Sequence, residues 1–502
     1  MALRSIPAHA HVGSPDIYAE GQAGPYRLLV TIRPPQVIPG VAEIEVRAVG
    51  EGATASEIES IAITPIPLVG EAAKHPPVAD QMKQSASDKT FFTGSLWIMA
   101  SGSWQVRFAI NGATDNGVLS IPVPATSSST RGMDAGLGVL LSILGALLVA
   151  GVVGIVGAAA REAQLAPGAG PTAGGRRRAW VAMAMTLAVM LAAVVGGKSW
   201  WDNEAGDYAR HVYKPLTMQA TVDANQTLHL NIEDPGWLKT RRTDDFVPDH
   251  DHLMHLYLIR QPGLDVVFHL HPDQVAPGKF DLALPSIPTG RYRLYADVVH
   301  ATGFPETLVS ELNLPEIIGR ALAGDDAKGL ATPLSAATGA CPANPTLGAQ
   351  FRLPDGYTMV WNNPSTLPAK TPEVFEFSLL DPAGKPAPDM AFYMGMAGHA
   401  AFVKDDGSVF AHVHPSGTVS MAALMMAAAQ NQPNAARPDA MTSMPSMSST
   451  NPSPNSAGIP NTVGFPYGFP TAGAYRIFVQ MKHGQTIETA AFDACAAAPR
   501  AN

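Results

Sequence analysis

Apolar and polar residues alternate at a period of two over most of this chain, in short runs that stop at Gly, Pro, Asn or Asp. From Tyr26 to Ala125 the runs read YRLLVTIRP, VAEIEVRAV, IESIAITPIP, GSLWIMASGSWQVRFAI and GVLSIPVP. A period of two puts successive side chains on opposite faces of a strand, so each run predicts a strand buried on one face, and the spacing of the turns predicts a sandwich. Trp97 and Trp104 are expected in its core. The same texture returns from Lys214 to Pro315 as LTMQATV, TLHLNIED, LMHLYLIR, VVFHLHP, GKFDLALP, GRYRLYADVVH and LVSELNLP. After a looser segment, Glu316 to Ala340, it returns between Cys341 and Cys495 as YTMVW, VFEFSLLD, HAAFV, VFAHVHP, YRIFVQMKH and TIETAAFDA.

The alternation breaks in two places. Ala135 to Ala160 is a run of 26 residues without a charge and Ala179 to Gly197 a run of 19, each long enough for a helix that crosses a bilayer. Trp200 and Trp201 follow the second run, where an interfacial aromatic anchor belongs. The link carries Arg161, Arg176, Arg177 and Arg178 against one acid, Glu162. By the positive-inside rule the link, 161–178, is cytoplasmic, and both large flanking blocks face the periplasm. The second break, 421–464, is rich in Ala, Ser, Pro, Asn and Met; it starts with a helical run, MAALMMAAAQ, then loses all periodicity and is expected to be disordered. The expected fold is mainly β: three β-sandwich domains of immunoglobulin/cupredoxin-like type (1–130, 202–320 and 341–497) and a two-helix transmembrane hairpin (131–201, with spans 135–160 and 179–197).

Within the two later blocks one pattern occurs twice. His255 opens an alternating run, a turn follows at Gln261-Pro262-Gly263, and a second run closes on His269-Leu270-His271-Pro272. His399 opens the next copy, with a turn at Lys404–Gly407 and a close on His412-Val413-His414-Pro415. Downstream, Gly290-Arg291-Tyr292-Arg293-Leu294-Tyr295 precedes His300, as Gly473-Ala474-Tyr475-Arg476-Ile477-Phe478 precedes His483. Each unit therefore carries four comparable histidines: His255, His269, His271 and His300, then His399, His412, His414 and His483.

His-x-His in a strand places both imidazoles on one face. A third from the neighbouring strand and a fourth from the Tyr-Arg strand would complete a cluster where those strands adjoin. Several imidazoles without a thiolate suit Cu(II) or Zn(II). The first copy adds Asp249, His250, Asp251 and His252; the second has Met390, Met394 and Met396, thioethers that favour Cu(I). Met441, Met444 and Met447 form a further thioether series in the insertion. Two readings stay open at this point: the histidines bind metal, or they cap backbone groups and fill half-buried strand positions, which a duplication would copy equally well.

Composition narrows the field. Charged residues are only 15 % of the chain, with 46 glycines and 44 prolines, a balance for turn-rich β domains and membrane segments. The net charge of −9 is spread along the chain and the one basic cluster is Arg176–Arg178, so no nucleic-acid surface is indicated. No G-x-S-x-G, HExxH, P-loop, Rossmann glycine pattern or CxxCH occurs, and the Glu and later His of a cupin do not follow either His-x-His. Two cysteines, Cys341 and Cys495, bracket the last block; a disulfide there and a pair of free thiols are both open. At the N-terminus Ala8-His9-Ala10 has the small-x-small form of a signal-peptidase site. We expect an upstream signal and a cut after Ala10, which would leave His11 as an N-terminal copper ligand.

The first quarter, with its His11–Pro15 start (HVGSP) and its Gly102-x-Trp104-x-Val106 strand, resembles YtkA-like and CopC-like periplasmic β-sandwiches. With the His-x-His-Pro motifs, FPYGFP and YRIFVQ, the whole chain resembles bacterial two-span envelope proteins. Its plan is similar to that of the copper-binding B subunit of particulate methane monooxygenase. The resemblance implies architecture: an inner-membrane protein with both large domains periplasmic. The expected function is a membrane-anchored, non-catalytic metal-binding protein, for copper before zinc, with the lipid bilayer and membrane or periplasmic proteins as partners. The alternatives are a scaffold subunit of a membrane complex with structural histidines, and a copper oxygenase or oxidase subunit.

Overall fold

The computed structural model describes residues 15–50, 58–113, 115–166, 168–334, 341, 346–431 and 459–498. Strand Gly40–Val49 shows how the period-two pattern is used: Ala42, Ile44, Val46 and Ala48 are buried, while Val41, Glu43 and Arg47 point outward. Each buried Ile or Val removed from water in this way contributes roughly 1.5–3 kcal/mol. Repeated over the chain, this gives six antiparallel-dominated sheets that close in pairs over three cores.

The first pair joins a five-stranded sheet (Ile17–Ala23, Tyr26–Arg33, Gly40–Val49, Phe91–Ile98, Lys83–Gln84) to a four-stranded one (Asp80–Gln81, Ile58–Pro67, Gly102–Gly112, Asn116–Ala125). Trp104 packs against this core, but Trp97 does not enter it. It sits opposite Val41 in the register and is 59 % exposed, because its strand position falls on the outward phase of the alternation.

The two apolar runs form helices Ala135–Glu162 and Ala173–Arg210, both long and apolar enough to cross a membrane. Asp134 and Thr172 cap them by accepting from the backbone N–H groups of Leu137 and Gly175. They pack closely where Gly157 meets Met183: a Cβ there would lie 2.6 Å from Met183 Cγ. The second helix starts earlier and ends later than its apolar run, continuing through the charged residues to Arg210. At 38 residues it is about 57 Å long, nearly twice a hydrocarbon core. Segment Ser127–Tyr213, which contains both helices, is one compact unit, and the β sheets form the other.

The two remaining sheet pairs repeat one topology. In the second pair the five-stranded sheet runs Pro305–Leu314, Gly290–Val299, His255–Gln261, Val266–Leu270, Ala327–Leu330; in the third, Thr366–Pro368 precedes Thr486–Ala497, Gly473–His483, His399–Lys404, Phe410–Val413. The strands carrying the repeated motifs thus occupy equivalent places. Four-stranded sheets (Thr217–Val222, Thr227–Glu233, Lys279–Ala283, Asp273–Ala276; and Leu347–Arg352, Thr358–Pro364, Glu373–Leu380, Thr462–Tyr467) cover one face of each.

The other faces cover each other. In His255–Gln261, Leu256 and Leu258 belong to the second core, but Tyr257 and Ile259 join a shared core with Ala401, Val403, Phe410 and Phe478 of the third pair. Tyr295 stacks on Phe410 at 4.2 Å. The Arg476 guanidinium, 2 % exposed, donates to the Leu264 and Thr332 carbonyls and to Asp493. These strands are therefore buried on both faces, where the sequence pattern predicts one.

Two segments are more ordered than expected. Ala327–Leu330, in the looser segment, adds a strand beside Val266–Leu270, and strand Thr462–Tyr467 begins inside the expected insertion. Helix Met421–Ala429 forms as expected. The Cys341–Cys495 disulfide is present, closing a separation of 154 residues.

Candidate metal centre

The two His-bearing sheets meet so that eight histidines share one buried region at the end of the shared core. Two threefold groups stand out. One nitrogen each of His255, His269 and His271 lie within 4.8 Å of one another, and so do nitrogens of His250, His399 and His414. His412 lies between the groups, with ring centroids 5.4 Å from His255, 5.5 Å from His399 and 4.6 Å from His414. His252 stacks on His271 at 3.8 Å and reaches Asp325 with Nε2 at 3.2 Å.

In the first group the surroundings decide which nitrogen is free. His255 Nε2–H donates to the Asp249 carbonyl at 2.9 Å, His269 Nδ1–H to Gln480 Oε1 at 2.9 Å, and His271 Nδ1–H to Asp326 Oδ1 at 3.2 Å. Gln480 is oriented by its own Nε2, which faces Thr489 Oγ1; Asp326 is held by Arg320. Each acceptor fixes a tautomer and leaves the opposite nitrogen as a bare lone pair, as the outer partners of metal-binding histidines do. Two of these, His255 Nδ1 and His269 Nε2, lie 3.1 Å apart. Lone pairs at that distance repel unless a cation lies between them, and two nitrogens at about 2 Å from one ion are separated by about 3 Å.

The second group is poorer in partners. His250 Nε2, both nitrogens of His399, and Nε2 of His412 and His414 are buried without a hydrogen-bond partner among the described residues. His414 Nδ1–H donates to the Val419 carbonyl at 3.3 Å, and His412 Nδ1 faces Asp297 Oδ2 at 3.3 Å. Each unmet buried polar group costs about 1–3 kcal/mol, and these nitrogens could serve as ligands to an ion. His250 reaches the group from a turn closed by two bonds between Asp249 and His252. His250 and Asp251 are both left-handed, at φ 52° and 68°, a conformation that costs a non-glycine residue about 1–3 kcal/mol.

Burial, and after it the neighbouring imidazoles, hold His255, His269, His399 and His414 well below the usual histidine range and His412 down to about 3. His271 is lowered too, chiefly by burial. These six imidazoles are therefore neutral at neutral pH, the form that binds metal. Burial also raises Asp297 to about 7 and Tyr257 well above 10; Tyr257 stacks on His269 at 4.1 Å.

His300 and His483, expected as the fourth histidine of each set, lie elsewhere. Both fall at or just beyond the end of the Tyr-Arg strand, past the stretch that pairs with the His255 and His399 strands. His300 is flanked by Asp245 at 2.8 Å and Glu306 at 2.9 Å, with Arg241 paired to Glu306. His483 is flanked by Asp355 and Asp389. Asp249 acts through its carbonyl and, through its side chain, as an acceptor for Ala422 N–H at the start of helix Met421–Ala429. Met396 lies in a turn paired with Tyr393, whose ring is 5.2 Å from His399. His11, Met441, Met444 and Met447 lie outside the described residues. Gln480, Asp326, Tyr393 and Asp297 were not expected; Asp325-Asp326 offers an acidic doublet as a signal, whereas Gln480 in a strand offers none.

The chain matches the model of a family described as Domain of unknown function (DUF8832) over residues 211–310 and 351–498, the parts that carry the repeated histidines. No curated protein matches it. Among solved structures it is similar to the tetra-tandem repeat in the extending region of a large adhesion protein, at 9 % identity over 91 % of this chain and 70 % of that one, TM-score 0.16. It is also similar to Salmonella alpha-2-macroglobulin reacted with methylamine, at 8 % identity over 99 % of this chain and 24 % of that one, TM-score 0.19. At such scores neither likeness bears on the site.

Proposed function

We propose that this is a membrane-anchored periplasmic protein that binds copper at a paired histidine centre shared by its two repeated halves. One observation carries the reading: two adjacent three-imidazole groups, drawn from both halves, whose inward nitrogens have no other partner. Imidazole without thiolate suits copper or zinc, and the stability order of divalent ions favours copper. The sheet pairs read as sandwiches of immunoglobulin/cupredoxin type, and the arginines between the helices as the cytoplasmic side of an inner-membrane hairpin. Among the described residues the acids beside the histidines, such as Asp325 and Asp326, face ring nitrogens at hydrogen-bonding distance, an arrangement that suits binding and transfer.

Metal analysis and copper titration of the full-length protein in detergent test this. The expected result is two copper ions per chain, with His269→Ala and His399→Ala each losing one. Binding no tighter than micromolar, or binding indifferent to both substitutions, would overturn it. A second reading, a scaffold subunit of a membrane complex, is favoured by the outward pair Val41 and Trp97 on the first sheet pair, 41 % and 59 % exposed. It requires a co-purifying protein that is lost with Trp97→Asp and unaffected by His269→Ala.

A further inference from the structure

We propose that the third sheet pair holds a separate divalent-cation site, formed by Asp355, His483 and Glu488 with Asp389 behind the imidazole at Nδ1, which takes a carboxylate-preferring ion of the Mn2+ class. This does not rest on the imidazole centre. Ligand atoms of Asp355, His483 and Glu488 lie within 4.8 Å of one another. His483 Nε2 is 2.9 Å from Asp355 Oδ2 and its Nδ1 is 3.3 Å from Asp389 Oδ2.

The duplication supplies the argument. Glu306 stands opposite Val298, two residues before His300; Glu488 stands opposite Met481, two residues before His483. The two His/Glu pairs are therefore equivalent positions of the repeated sheet. In the first copy Asp245 and Glu306 flank His300, and Glu306 is met by Arg241, itself 3 % exposed. In the second copy three carboxylates surround His483, and among the described residues no Lys or Arg pairs with any of them. Glu488 is only 8 % exposed and makes no side-chain hydrogen bond among those residues. Glu488 lies beside the Asp355 carboxylate, and His483 Nε2 is buried without a well-formed hydrogen bond among the described residues, so a bound cation would stand where the first copy has an arginine.

The frame is built to hold one. Tyr357 stacks on His483 at 3.9 Å and donates to Asp389 Oδ1 at 3.2 Å. Tyr357 N–H donates to Asp355 Oδ1 at 3.1 Å, and Gly484 N–H to the Asp389 carbonyl at 2.8 Å. Two carboxylates with one imidazole, whose far nitrogen is held by Asp389, suit Mn2+ better than the copper ions that all-imidazole sets attract.

The test is titration of the full-length, metal-stripped protein in detergent with Mn2+, following loss of the free-ion EPR signal. One Mn2+ per chain is expected, with a dissociation constant below about 0.1 mM. Glu488→Gln and Asp355→Asn should each weaken it about tenfold or more, and His269→Ala should leave it unchanged. Glu488→Gln should also raise the metal-free unfolding temperature while abolishing the Mn2+-dependent rise. Absence of Mn2+ binding, binding that survives Glu488→Gln, or binding lost with His269→Ala would each overturn the proposal. Glu488→Gln keeps shape and volume, so it decides the matter even where Asp355→Asn fails to fold.

Discussion

Replacing His399 by Leu should stabilise the metal-free protein and cut the stabilisation that copper gives. His399 is fully buried, and both its ring nitrogens lack a partner. In the metal-free protein this leaves one N–H and one lone pair unmet, at about 1–3 kcal/mol each. Leu removes both at similar volume, and an imperfect shape match takes back up to about 1.5 kcal/mol. The net expectation is a gain of about 0.5–6 kcal/mol of stability without metal. With copper present a loss opposes this gain, because one of three ligands is gone. Loss of an outer partner alone weakens metal binding 10–100-fold, so loss of a ligand should reach at least about 100-fold, and the copper-induced stabilisation should fall by about 2.7 kcal/mol. Thermal unfolding of the full-length protein in detergent, with chelator and with excess copper, reads both arms. If His399→Leu destabilises the metal-free protein by more than about 1 kcal/mol and leaves the copper shift intact, the imidazole is structural and the reasoning fails.

Three further expectations follow from named contacts. Asp326→Asn keeps the shape but weakens the acceptor for His271 Nδ1–H, so copper affinity should drop about 10–100-fold in an isothermal titration. Arg476→Met leaves the Leu264 and Thr332 carbonyls unmet and should cost about 2–6 kcal/mol; copper affinity should fall although no ligand changes, as competition with a calibrated chelator would show. Burial opposes the charge on His300, but its pairs with Glu306 and Asp245 outweigh it and raise its pKa. The stability this lends is complete below the unfolded value of about 6.5 and is lost as pH rises through the higher folded value. The stability difference between the protein and His300→Gln should therefore shrink from about pH 6 to about pH 9; a difference independent of pH would refute the charged state.

Much of the fold could be read directly. Charge-free runs gave both long helices, because a bilayer demands length and apolarity that nothing else in this chain has. Alternation gave the strands, and the Gly-Arg-Tyr and Gly-Ala-Tyr echoes gave the duplication that reappears as equivalent strand orders. The site was half legible: six of the eight repeated histidines come together, but as one centre shared between the copies. What single-sequence patterning lacks is the docking of one sheet on another. A hint existed, since LYLI in His255–Gln261 and IFV in Gly473–His483 are apolar on both phases of the alternation, as strands covered on both faces must be. His300 and His483 were grouped with the others by spacing alone, and spacing cannot say that a strand runs on past its neighbour.

The shared burial has an energetic consequence. A sheet that ended at its own sandwich would leave Tyr257, His255 and His269 on an outward face, where water satisfies the imidazoles and the two sets of histidines stay apart. Docking the third pair supplies Gln480 to His269 and brings His399, His412 and His414 over the same space. It also strips water from every one of these rings, a cost that Tyr257, Ile259, Val403 and Phe410 offset only through apolar contact beside the cluster. Metal binding and docking of the two halves are therefore linked: an ion held by nitrogens from both halves stabilises their interface by its own binding free energy. Loosening that interface, as Arg476→Met should, lowers metal affinity by the same amount. On this argument the duplication created the centre only when its two products packed face to face, which is why neither copy of the motif, taken alone, carries a complete ligand set with its outer partners.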